Sequence, residues 1–158
     1  MPVARLPTVS LNYLRFPSRT DAAPCGDLVL VHGLAASLGF WHLGIVRPLS
    51  WLCRLTAYDL RGHGRSELPA TGYSIPRMAD DLAALLDHLG RDRVHLLGHS
   101  YGGAIALLFA HRHPERVRSV IVADTRLRAL QPYHRLRDWS DWPRWRPLLR
   151  RAGIELND

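Results

Sequence analysis

At 158 residues the chain is long enough for one domain with a real core, although α/β domains often run longer, and its 47% apolar and 22% charged residues describe an ordinary globular protein. No apolar stretch approaches the roughly 18 residues that span a bilayer. The opening MPVARLPTVSLNYLRFPS also lacks the continuous apolar core of a secretory signal, so a cytoplasmic location without a membrane span is expected. The net charge of +7 rests on 21 basic residues, every one arginine, which reads as coding bias rather than as a nucleic-acid surface.

In chain order, TVSLNYLRF (8–16) supplies one or two marginal antiparallel strands, followed by the turn-rich PSRTDAAPCG. Four apolar runs, LVLVHG (28–33), LTAYDL (55–60), VHLLGH (94–99) and VRSVIVAD (117–124), predict strands buried on both faces of a parallel sheet. Between them, Met78, Leu82, Leu85, Leu86 and Leu89 share one helical face over 75–89, with Ser74 as N-cap and Gly90 as the stop. Residues 100–112 are apolar nearly all round and predict a buried helix ending before His113-Pro114. The result is an α/β fold, a mostly parallel sheet flanked by helices, whose strand carboxyl ends form the ligand crevice. Past Asp124 the composition changes, with eight arginines and three tryptophans between 126 and 151, and a boundary is placed there, giving segments 1–124 and 125–158. Arginine interleaved with tryptophan also suits single-stranded nucleic acid, but a cap whose tryptophans cover apolar surface is the favoured reading and no nucleic-acid partner is expected. Cys25 and Cys53 have neither metal-ligand spacing nor the number for a disulfide framework, so free thiols are expected.

The chemistry is concentrated in Gly98-His99-Ser100-Tyr101-Gly102, which fits G-x-S-x-G between a predicted strand and a predicted helix. Such a turn lifts a serine hydroxyl to the sheet edge, with Gly98 and Gly102 sparing a clash between closely approaching backbones. His32-Gly33-Leu34 ends the first buried strand. Its Leu34 N–H, with that of Tyr101 after the serine, supplies the two donors that a tetrahedral oxyanion needs. His32, Gly33 and His99 then support the site, His32 by hydrogen-bonding its loop rather than by moving protons.

These residues resemble the α/β-hydrolase fold family, in its esterase, lipase and haloperoxidase-like branch with a serine nucleophile. LVLVHGLAAS, AYDLRGHGRS, LLGHSYGG and HRHPERVRSVIVAD stand in family order over residues 28–124. The resemblance implies a hydrolase acting on an ester, thioester or related small-molecule acyl substrate, with Ser100 as nucleophile and neither cofactor nor metal. It also leaves open C–C bond hydrolysis, cofactor-free haloperoxidase chemistry, and an inactive remnant or ligand-binding protein. Asp59 to Ser66 is read as a structural loop, with His63 or Arg65 as pocket-lining alternatives. Asp124, at the end of the last predicted strand, is a candidate triad acid, although a carboxylate capping loop N–H groups is favoured. In this fold the histidine follows the acid. Only His111, His113 and His134 follow Ser100, and the first two lie roughly 16–20 Å along the helix that Ser100 opens. His134 is a weak candidate for the base. The expectation is therefore a chain that stops inside the cap, before the last two strands, leaving 117–124 as an apolar edge and a second chain as one possible source of the missing half.

Overall fold

The computed structural model describes residues 2–20, 24–127, 138, 140–151 and 153. Strands β1 (Val3–Arg5), β2 (Ser10–Phe16), β3 (Gly26–Val31), β4 (Cys53–Tyr58), β5 (Val94–His99) and β6 (Val117–Ala123) form one sheet in the order β1-β2-β4-β3-β5-β6. β3 to β6 run parallel, while β1 and β2 add antiparallel pairs at the margin. The apolar runs follow from burial on two sides. Val29 and Val31 point into one core with Leu96 and Tyr58, whereas Leu28 and Leu30 point into the other with Leu55, Ala57 and Leu97. An alternating pleat buried on both faces favours apolar residues at successive positions, and Thr56 is a buried polar exception in β4.

Helix α3 (Ile75–His88) and helix α4 (Tyr101–Arg112) fill the first core through Met78, Leu82, Leu85, Leu86, Ile105 and Phe109. Ser74 caps α3 by accepting the Arg77 N–H, and Gly90 ends it at φ 61°. The single-turn helices α1 (Gly39–His42) and α2 (Val46–Leu49) close the second core with Trp41 and Val46. These two turns carry too few residues to show a helical period, and the sequence reading does not contain them.

Two expectations are corrected. β6 is not buried on both faces: it is the last strand of the sheet, and Ile121 is 53% exposed. Among the described residues only β5 pairs with it, so it stands at the edge of the sheet, the place also anticipated for 117–124 in a chain that ends before the last two strands. Cys25 and Cys53 are not free thiols but a disulfide with Cα atoms 4.8 Å apart. The parallel pairing of Gly26 with Cys53 brings together two residues 28 positions apart.

Contacts divide the chain into Met1–Arg126 and Leu127–Asp158. Within the second unit the described helix is α5 (Trp142–Arg151), which carries Pro147 inside it. No helix among the described residues is long and apolar enough to cross a membrane.

Candidate active site

The strand order puts the carboxyl ends of β3, β4 and β5 side by side; the loop after β3 packs on Ser100 and the loop after β4 is bonded to that loop. Ser100 sits between β5 and α4 at φ 51° and ψ −119°, a conformation that L-residues rarely adopt. Three bonds hold it there: its N–H donates to Ala123 C=O at 2.9 Å, and its C=O accepts from the Thr125 hydroxyl at 2.9 Å and from the Gly103 N–H at 3.0 Å. The glycines around it are explained by space. A Cβ on Gly98 would lie 2.5 Å from both the Gly102 oxygen and the Gly103 Cα, and one on Gly102 would overlap the Val31 and His32 carbonyl oxygens. Ser100 is half-buried, and its hydroxyl makes no hydrogen bond to a described residue.

The loop after β3 lies directly against it. A Cβ on Gly33 would stand 3.1 Å from the Ser100 Cβ and 3.0 Å from His99 Nδ1. Tyr101 is the first residue of α4, so its N–H is one of those with no acceptor inside the helix. Leu34 is 66% exposed, and its N–H donates to no described residue. His32 is fully buried with both ring nitrogens engaged: Nδ1–H donates to Gly33 C=O at 2.8 Å, and Nε2 accepts the Leu60 N–H at 3.0 Å. Since an amide can only donate, this ring is neutral, and burial holds its pKa below the usual histidine value. A histidine tied at both nitrogens braces the loop rather than shuttling protons. His99 stacks on Phe40 at 4.6 Å and meets Trp41 edge-on, so its ring packs beside the site.

The loop after β4 is built around Asp59, which is 2% exposed. Its carboxylate accepts the Leu38 N–H at 2.7 Å, the Asn12 amide at 2.7 Å and the Arg65 N–H at 2.9 Å. Gly62 and Gly64 turn at φ 71° and 54°, and a Cβ on Gly64 would overlap the Asp59 carboxylate. Arg61 and Asp81, each 3% exposed, form a two-pronged ion pair at 2.6 and 2.7 Å that ties this loop to α3. The pairing raises the Arg61 pKa, chiefly through the Asp81 hydrogen bonds. The stretch 59–66 is thus a scaffold, and Thr125 is a site support that sequence reasoning missed, because its hydroxyl bonds backbone carbonyls, which leave no trace in residue spacing.

Asp124 is exposed at φ 47°, and its carboxylate accepts no hydrogen bond from a described residue, so the expected capping of loop N–H groups is not present. His113 follows the far end of α4 against Phe109, and His111 is exposed on its last turn, so neither approaches Ser100. His134 lies outside the described residues. Among the described residues no group of three His, Cys, Asp or Glu side chains is placed to hold a metal ion.

Residues 28–152 match the family described as the alpha/beta hydrolase fold. A soluble epoxide hydrolase from Corynebacterium sp. (strain C12) is 38% identical over 97 residues, which are 61% of this chain and 34% of that protein. The pimeloyl-[acyl-carrier protein] methyl ester esterase of Aeromonas hydrophila is 40% identical over 118 residues, 74% of this chain and 42% of that protein. Among solved structures, the enol-lactonase of Burkholderia xenovorans LB400 superposes with a TM-score of 0.72 at 34% identity, over 78% of this chain and 45% of that one. The chain therefore spans less than half the length of these relatives. The sheet order, the turn at Ser100 and these matches agree: this chain belongs to the alpha/beta hydrolase fold family and is related to named hydrolases.

Proposed function

We propose that this chain is the nucleophile-bearing half of a serine hydrolase for an ester, thioester or related small acyl substrate. The observation that carries the reading is the left-handed backbone of Ser100 at the β5–α4 junction, with the Gly33 loop packed on its Cβ. A strained serine held open between two backbone donors suits nucleophilic attack. In this reading Ser100 Oγ bonds to the substrate carbonyl carbon while a histidine takes its proton. The carbonyl oxygen becomes an oxyanion held by the Leu34 and Tyr101 N–H groups, each worth about 2.7–4 kcal/mol in the transition state. Collapse breaks the bond to the leaving group, which receives the proton, and water then releases the acyl group from Ser100. Relatives named as esterase and lactonase support acyl chemistry.

The histidine is proposed to come from outside the described residues or from a second chain, because His32 is tied at both ring nitrogens and His111 and His113 lie at the far end of α4. Asp124 is the candidate acid within the first unit, since it directly follows β6 beside the Ser100 support Thr125. The test is hydrolysis of 4-nitrophenyl butyrate by the full-length product of the gene and by its Ser100→Ala variant. The proposal expects Ser100→Ala to lose at least about 10⁴-fold in turnover, and unchanged turnover overturns it. A ligand-binding protein is the second reading, favoured by a Ser100 hydroxyl that meets no described base. It expects esters to raise the melting temperature without being consumed.

A further inference from the structure

His63 lies in the loop after β4, yet both of its ring nitrogens bond to backbone. Nδ1 is 2.9 Å from Arg61 C=O, and Nε2 is 3.3 Å from the Ala35 nitrogen, whose N–H donates to it. Since Ala35 can only donate there, His63 carries its proton on Nδ1 and is neutral. This repeats the arrangement of His32, whose ring centroid is 5.3 Å away and which joins Gly33 C=O to the Leu60 N–H. The two imidazoles therefore pin residues 33 and 35 to residues 60 and 61.

Leu34 stands between those pinned residues. Its N–H belongs to the same peptide plane as Gly33 C=O, and in a trans peptide the two point in opposite directions. His32 thus fixes the plane from one side. On the other side Ala35 is held at φ 57°, a costly conformation for a residue with a Cβ, and His63 accepts the N–H of that same residue. Without the acceptor at Nε2, Ala35 has a reason to relax to negative φ, which turns the peptide joining it to Leu34.

Resting on the reading of Leu34 as an oxyanion donor, we propose that His63 is a positioning residue: its neutral Nε2 keeps the strained Ala35 in place and so aims the Leu34 N–H at the reacting carbonyl. The titratable and charged neighbours of His63 are His32 and, around the pair, Asp59 and the Arg61–Asp81 pair beyond the Arg61 backbone.

The experiment compares His63→Ala, His63→Asn and His63→Gln in the full-length protein on 4-nitrophenyl butyrate, with Ser100→Ala alongside. A glutamine amide reaches the place of Nε2 and offers an oxygen to Ala35; an asparagine amide reaches only the place of Nδ1. The inference expects kcat to fall about 10- to 100-fold in the alanine and asparagine variants with KM within about twofold, because misaiming a transition-state donor acts on kcat. It expects glutamine to recover most of the loss. A kcat within about twofold of wild type in His63→Ala, or no recovery by glutamine over asparagine, overturns it. If Ser100→Ala keeps its activity, the reading of the site falls and this inference with it. Should His63→Ala not fold, nitrogen-15 spectra of the wild-type imidazole decide: a proton on Nε2 overturns the proposal, and one on Nδ1 supports it.

Discussion

Replacing Gly98 by alanine tests whether the backbone crossing behind Ser100 is as tight as it looks. The new methyl would stand 2.5 Å from the Gly102 oxygen and 2.5 Å from the Gly103 Cα. Carbon atoms settle at about 3.5–4.0 Å, so roughly 1 Å of overlap must be relieved. No rotamer can relieve it, since both obstacles are backbone at the start of α4, and the helix must shift on β5. Overpacking of this kind costs about 1–3 kcal/mol, and a rigid backbone obstacle puts Gly98→Ala near the top of that range. At about 2–4 °C per kcal/mol for a chain of this size, the melting temperature should drop by about 6–12 °C. Gly44→Ala is the control, because a Cβ there meets nothing within 4 Å, and it should stay within about 1 kcal/mol of wild type. Thermal unfolding followed by circular dichroism measures both. A Gly98→Ala protein melting within about 2 °C of wild type would refute the packing argument.

Breaking the buried Arg61–Asp81 pair by Asp81→Leu should cost about 3–5 kcal/mol because a guanidinium is left buried alone, whereas the double variant Arg61→Met/Asp81→Leu should recover most of it in urea titrations. Reducing the Cys25–Cys53 disulfide, which closes a loop of 28 positions, should lower stability by about 3–4 kcal/mol, and a reductant should leave a Cys25→Ser/Cys53→Ser protein unchanged. His32 is neutral when folded and its pKa lies below 6.5, chiefly through burial, so the unfolded chain binds the proton more readily. Stability from this group is therefore full above pH 6.5 and is lost as pH falls through the lower folded value, which melting curves across pH 7 to 4 should show as a decline flattened in His32→Gln.

The central strands and both long helices are legible in the sequence because each is buried in a way that constrains every position. Strand β5, the turn at Ser100 and helix α4 follow from an apolar run, a glycine-serine-glycine spacing and a second apolar run. The helix at 75–88 is legible from one face of leucines and from Ser74 and Gly90 at its ends. What stays hidden depends on distant partners. The disulfide requires knowing that β3 and β4 are neighbours, and the apolar run of β6 by itself reads as a buried strand, its edge position following only from the expected absence of the last two strands. The anchoring of the loop at 33–35 by His32 and His63 runs through backbone carbonyls and amides, and such bonds impose no pattern on the side chains at either end. The partners of the Asp59 carboxylate are scattered in the same way: the Asn12 side-chain amide and the backbone N–H groups of Leu38 and Arg65.

The account turns on Ser100 as a nucleophile, and covalent labelling reads that directly. The full-length protein is treated with a fluorophosphonate, digested, and the peptide spanning residues 94–112 is sequenced by mass spectrometry. The account predicts one phosphonyl group on Ser100, absent when the protein is denatured before treatment. An unmodified Ser100, with the reagent consumed at another serine or not at all, would contradict it.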